Sequence, residues 1–193
     1  MGQDIVATNR LIRSIVASLR LVALCVVFAA AGTGAEPAPA PAFHRPSTEA
    51  ELALNALLDI DAKHGLHDTQ LHDFLINYNG GRKAHEKEFS RYFTPRFVDA
   101  VAAMERKLVA KNCGGHYVEG DMCGLESSPL NCAQDDPAEG YWHQAERSDS
   151  RAVIIASAWQ PNGPITARYR MVKRHGAWVL DAVACPGGER FNW

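Results

Sequence analysis

The sequence predicts an α+β domain, with helices first and an antiparallel sheet of about four strands after them. Three observations predict it. Apolar residues recur at helical spacing from Leu52 to Val109. Period-2 runs of strand length then cover 151–159, 165–173 and 177–185, with a first strand near 141–147. A His175-Gly176 turn joins the last two runs, and glycine accepts the positive φ that a tight hairpin needs. A two-residue turn pairs Lys173 with Trp178, Met171 with Leu180, Arg170 with Asp181 and Tyr169 with Ala182. Tyr169, Met171, Trp178 and Leu180 then share a core face. Arg168, Arg170, Val172, Val179, Asp181 and Val183 fall on the other.

The chain has 193 residues, room for one domain and a targeting segment. Apolar content of 47% with 22% charged residues excludes global disorder. Residues 1–35 hold Arg10, Arg13 and Arg20 against Asp4. Without them, 17 basic and 21 acidic residues remain, a formal charge of −4. That balance argues against a nucleic-acid partner, which needs a basic footprint, and is compatible with a basic protein partner.

Along the chain, the three arginines precede an apolar run over 21–31 and small residues over 32–35. This is the outline of a secretory signal peptide spanning 1–35. The run is shorter than the roughly 20 residues a bilayer span needs, so membrane attachment is expected only if the segment stays uncleaved. Cys25 lies inside the apolar run with Val26 and Val27 after it, a poor place for a lipid. Alternating Pro and Ala over 36–46 form an extended spacer.

The folded domain is expected over 47–193. Ser47 or Thr48 caps a first helix, with Glu49 and Glu51 in its first turn, and Gly65 ends it. A second helix covers 68–78, with Leu71, Phe74, Leu75 and Tyr78 on one stripe, and Asn79-Gly80-Gly81 closes it. A short third spans 84–92. Thr94-Pro95 then opens a strong fourth, Thr as cap and Pro at the first position, running to Asn112. Residues 113–136 have no periodicity; a loop this long inside a domain is functional or tied down.

Four cysteines remain after the signal segment: Cys113, Cys123, Cys132 and Cys185. An even count in an exported chain implies two disulfides, in one of three pairings. We take Cys113–Cys123 with Cys132–Cys185. The first closes a small loop worth about 3 kcal/mol, and the second ties the loop to the last strand for about 4 kcal/mol. The spacings lack the short paired steps of a zinc site.

His64, His67, Asp68, His72 and Asp73 cluster without a His-Glu-x-x-His pattern and are read as solvated residues at a helix boundary. No metal, cofactor motif or Gly-rich phosphate loop is expected, and no catalytic residue is assigned. His116, Glu119 and Asp121 sit in the cysteine-bounded loop. Arg170 and Asp181 form an Arg-Asp pair among apolar residues, read as strand-orienting before catalytic.

Three stretches carry a family resemblance: Arg91-Tyr92-Phe93-Thr94-Pro95-Arg96-Phe97, Ser128-Pro129-Leu130-Asn131-Cys132-Ala133-Gln134-Asp135, and Ala167-Arg168-Tyr169-Arg170-Met171-Val172 with Trp178-Val179-Leu180-Asp181. Over 71–186 the chain resembles a family of small exported bacterial proteins, a domain of unknown function with a nuclear-transport-factor-2-like fold. The resemblance implies a cone, with helices packed on a strongly curved antiparallel sheet around a pocket. It also implies that Cys132 and Cys185 belong together, and that the protein lives in the periplasm or another exported place. Some similar proteins look like immunity proteins that neutralise toxins.

The functional expectation is therefore a non-enzymatic binding protein with a protein partner in the cell envelope, such as a toxin it inhibits. His116, Tyr117, Glu119 and Asp121 are the expected contact residues, because a tethered loop presents side chains at low entropic cost. The alternative is a small-ligand or hydrolytic pocket on the concave face, using Asp135, Tyr169, Arg170 and Asp181. Fold alone does not choose between them.

Overall fold

Two of the four helices begin where a side chain satisfies a first-turn backbone N–H, at Thr48 and at Thr94. The computed structural model describes residues 42–67 and 69–193. The signal-peptide reading and most of the spacer lie outside them. In α1 (Glu49–His67), Thr48 Oγ1 accepts from the Glu51 N–H at 3.3 Å. Glu51 Oε2 reaches back to the N–H groups of Thr48 and Ser47 at 3.0 and 3.1 Å, completing a capping box. Gly65 does not end this helix, which runs to His67. A single helical glycine costs only about 1 kcal/mol, less than tertiary packing returns. The chain turns instead at Thr69, where φ is 55°.

Helix α2 (Gln70–Ile76) buries Leu71, Phe74 and Leu75. Asn77 adopts the left-handed conformation and stops it, so Tyr78 leaves the expected stripe and stays exposed. Helix α3 (Gly81–Phe89) starts three residues before the expected position and passes through a tight turn over Ser90–Tyr92. Helix α4 (Pro95–Cys113) is as the sequence reads: Thr94 Oγ1 accepts from the Phe97 N–H, Pro95 opens it, and Gly114 at φ 64° closes it.

The sheet is an antiparallel meander of five strands in sequential order: β1 (Trp142–Ser148), β2 (Ala152–Ala158), β3 (Ala167–Arg174), β4 (Ala177–Ala184) and a short β5 (Arg190–Phe191). The last was not expected; two residues carry too little alternation to be seen. His175 and Gly176 turn the β3–β4 hairpin at φ 50° and 85°, and Lys173 faces Trp178 as expected. Met171 also faces Leu180. Beyond that pair the register slips, so Arg170 faces Ala182 and Tyr169 faces Val183. Asp181 is the extra residue of a bulge. The slip moves Val183 from the outer face to the core, where it is fully buried.

The core lies between the helices and one sheet face. Leu54, Leu57, Leu58, Leu71, Phe74, Phe97 and Val101 meet Val153, Ile155, Tyr169, Met171, Leu180, Val183 and Phe191. The strongly curved cone is not what forms: the sheet is not strongly curled. Its main strands have seven or eight residues and only two bulges, at Ala145/Arg147 and at Arg170/Met171. Such short strands with isolated bulges twist locally and do not wrap. Large side chains fill the inner face where the hollow was expected.

The first described residues belong to this fold. His44 exchanges two backbone hydrogen bonds with His143 of β1, at 3.0 and 2.8 Å. Arg45 donates to the Glu139 carbonyl at 2.7 Å and lies over the Trp142 ring. The end of the Pro-Ala stretch is thus docked. Both expected disulfides are formed, Cys113–Cys123 and Cys132–Cys185. They are compatible with an oxidising, exported location. Among the described residues no helix is long and apolar enough to cross a membrane.

Candidate functional site

The Cys113–Cys123 loop is built on α4. Helix α4 places Glu105 on the same stripe as Val101 and Val109, and all three are buried. A buried carboxylate needs hydrogen-bond partners, and the loop supplies them. Glu105 Oε1 accepts from the Tyr117 hydroxyl at 2.7 Å, and Oε2 accepts from the Leu125 N–H at 2.8 Å. Burial, then the bond to Glu105 and its charge, push the Tyr117 phenol far above its ordinary range, so it stays a donor. Gly124 makes the approach possible. A Cβ there would lie 1.8 Å from Glu105 Oε1. Asn112 adds a bond to the Cys123 carbonyl at 3.3 Å.

The result is a rigid loop with apolar side chains outside. Tyr117, Val118 and Met122 are 46, 47 and 61% exposed, and Tyr78, 39% exposed, packs its ring edge-on to Tyr117 at 4.8 Å. These four are most of the exposed large hydrophobics among the described residues. His116, Glu119 and Asp121 are exposed around them. A cleft of ≈ 380 Å³ between Tyr78, Glu105, Val109 and Tyr117 runs beside the patch. The four expected contact residues therefore share one stapled loop. The sequence reading missed Tyr78, Met122, Glu105 and Gly124. Glu105 was detectable as a carboxylate set among α4's apolar positions.

Of the four expected pocket residues, only Arg170 and Asp181 are brought together. Tyr169 is fully buried on the core face, and its hydroxyl has no partner among the described residues. Arg170 and Asp181 belong to the opposite side of the register. Asp135 is exposed in the loop before β1. Asp181 is fully buried and saturated: Thr94 Oγ1 donates at 2.8 Å, Arg96 Nε at 2.7 Å and Arg170 Nε at 2.7 Å, with Arg96 Nη2 on the second oxygen. Burial raises its pKa, but the bonds from Arg96, Thr94 and Arg170 outweigh that and hold it below the usual carboxylate range. Asp181 thus ties α4 to β4 through Thr94 and Arg96, and β4 to β3 through Arg170.

A different carboxylate is retuned. Asp61 on α1 lines a cleft of ≈ 230 Å³ with His72, Ser128, Asn131 and Asp136. Burial raises its pKa to about 6, against a 2.7 Å bond from Ser128 and with help from the Asp136 charge. Among the described residues no group of three or more His, Cys, Asp or Glu is arranged to hold a metal ion. The His64 ring packs against Phe89.

No family model matches this chain, and no curated protein or solved structure is significantly similar to it.

Proposed function

We propose that this chain is an exported, disulfide-bonded binding protein that captures a protein partner through the stapled loop 113–123. The observation that carries it is the concentration of Tyr78, Tyr117, Val118 and Met122 on one surface held rigid by a disulfide and by Glu105. Aromatic and Met side chains dominate interface energetics, and a pre-ordered loop loses little entropy on docking. Glu119 and Asp121 at the rim favour a partner with basic residues around an apolar socket. The family resemblance makes an envelope-active toxin the natural candidate, and the protein its inhibitor.

The experiment is capture from envelope extract on the immobilised, oxidised protein. Wild type retains a basic partner, and retention falls as salt rises. Tyr117→Ser with Met122→Ser removes it, each truncation costing about 2 kcal/mol of binding. Equal retention by the double variant, with its fold intact, sinks the reading.

The Asp61 cleft supports a second reading, a small-ligand pocket with a carboxyl poised near neutrality. It stands in place of the sheet-face pocket. Asp61→Asn tests it by ligand-induced shifts in melting temperature across a panel of small cations and amines. Identical profiles for the variant and wild type dismiss it.

A further inference from the structure

The anchor at Asp181 has a surplus of charge. One buried carboxylate holds two guanidinium groups, from Arg96 and Arg170. Beside it opens a cleft of ≈ 500 Å³ lined by Thr94, Arg96, Arg151, Val172, Lys173 and Arg174 among others. Lys173 is engaged by Glu49 at 3.0 Å. The Asp149 carboxylate is turned to the N–H groups of Arg151 and Ala152, at 2.7 Å each. Arg174 is exposed and makes no ion pair among the described residues. Five cations, Arg96, Arg151, Arg170, Lys173 and Arg174, therefore face three carboxylates, Asp181, Glu49 and Asp149. This surplus sits on a chain whose formal charge is −2.

A second slot of ≈ 260 Å³ adjoins the first, since Pro95 and Arg174 line both. Its walls include the buried Phe74, Phe93 and Val98. Of its acids, Asp99 is tied to Arg82 at 2.7 Å and Glu86 is exposed, so across both spaces six cations meet five carboxylates. Guanidinium forks fit phosphate and carboxylate oxygens in geometry as well as charge. Arg96 is already oriented by Asp181, so little freedom is lost when it accepts a second anion. The first turn of the nineteen-residue α4 adds a favourable dipole.

We propose that the two spaces form one site for a monomeric anionic amphiphile, with a phosphate or carboxylate head on Arg96, Arg151 and Arg174 and a short apolar body against Phe93 and Val98. None of these residues belongs to the stapled loop, so the site is independent of partner capture.

Calorimetric titration of the intact, oxidised protein tests it, with octyl phosphate as probe. Octyl phosphate binds; inorganic phosphate binds about tenfold more weakly or not at all; neutral octyl glucoside does not bind. Arg174→Gln weakens octyl phosphate about tenfold, the loss of one charge-assisted contact. Arg168→Gln, outside both spaces, leaves it unchanged. Vesicles of phosphatidylglycerol separate a bilayer from a single molecule. No binding of octyl phosphate, equal affinity for the Arg174 variant, equal affinity for inorganic phosphate, or binding to vesicles alone each overturns the proposal.

Discussion

Replacing Gly124 by alanine should unpin the stapled loop, and the size of the effect follows from the geometry. The new Cβ meets Glu105 Oε1 at 1.8 Å and its Cδ at 2.4 Å, where real Cβ contacts stay beyond 3.0 Å. The carboxylate must retreat, and its bonds to the Tyr117 hydroxyl at 2.7 Å and the Leu125 N–H at 2.8 Å both stretch past usable length. Each is charge-assisted and worth roughly 1.5–3 kcal/mol, so the substitution should cost about 4 kcal/mol. The assay is urea unfolding with disulfides intact, followed by circular dichroism. A double-mutant cycle isolates the cause. A Glu105→Ala background removes the three atoms nearest that Cβ, and Gly124→Ala should then change stability by less than about 1 kcal/mol. A cost below about 1 kcal/mol in the wild type, or the same cost in both backgrounds, refutes the argument.

Cys113→Ser with Cys123→Ser should lower the unfolding free energy from urea titration by about 3 kcal/mol and weaken partner capture more than any single rim charge does. Asp181→Asn leaves Arg96 and Arg170 facing a neutral group and should cost about 3 kcal/mol on thermal unfolding, with Thr94→Val costing less. Between about pH 4 and 6, two groups should oppose each other. Burial lowers the His143 pKa to about 4, against the attraction of the Glu51 charge, so the unfolded chain binds that proton more readily and acidification destabilises. Asp61, raised to about 6, holds its proton more tightly when folded, so acidification through the same window stabilises. The wild type should therefore vary little there. Asp61→Asn should lose stability on acidification at up to about 1.4 kcal/mol per pH unit, and His143→Gln should gain it. Parallel pH profiles for the two variants contradict the assignment.

Features with a local cause were legible in the sequence. Thr94-Pro95 marks the start of α4 because cap and first-turn proline act within four residues. His175-Gly176 marks the hairpin because the turn itself demands left-handed backbone. The Cys113–Cys123 and Cys132–Cys185 pairing came from choosing one of three options. What stayed hidden depends on distant groups. Period-2 alternation cannot reveal an inserted residue, so the Asp181 bulge and the burial of Val183 were missed. The curl of a sheet depends on strand length and bulge count together, so family resemblance misled there. Asp61 and Glu105 each interrupt an apolar stripe. One lines a cleft and the other holds a loop, and that interruption was the overlooked signal.

The pairing of His44 with His143 matters beyond the fold's first residues. Strand β1 is the outermost member of the meander, and open strand edges recruit other chains. The short arm occupies part of that edge, while Glu146 and Arg147 guard the rest with charge. A chain trimmed to begin at Ser47 would present Trp142 and His143 bare, and two such molecules would have a ready way to zip together. The arm thus covers the part of that edge at His143.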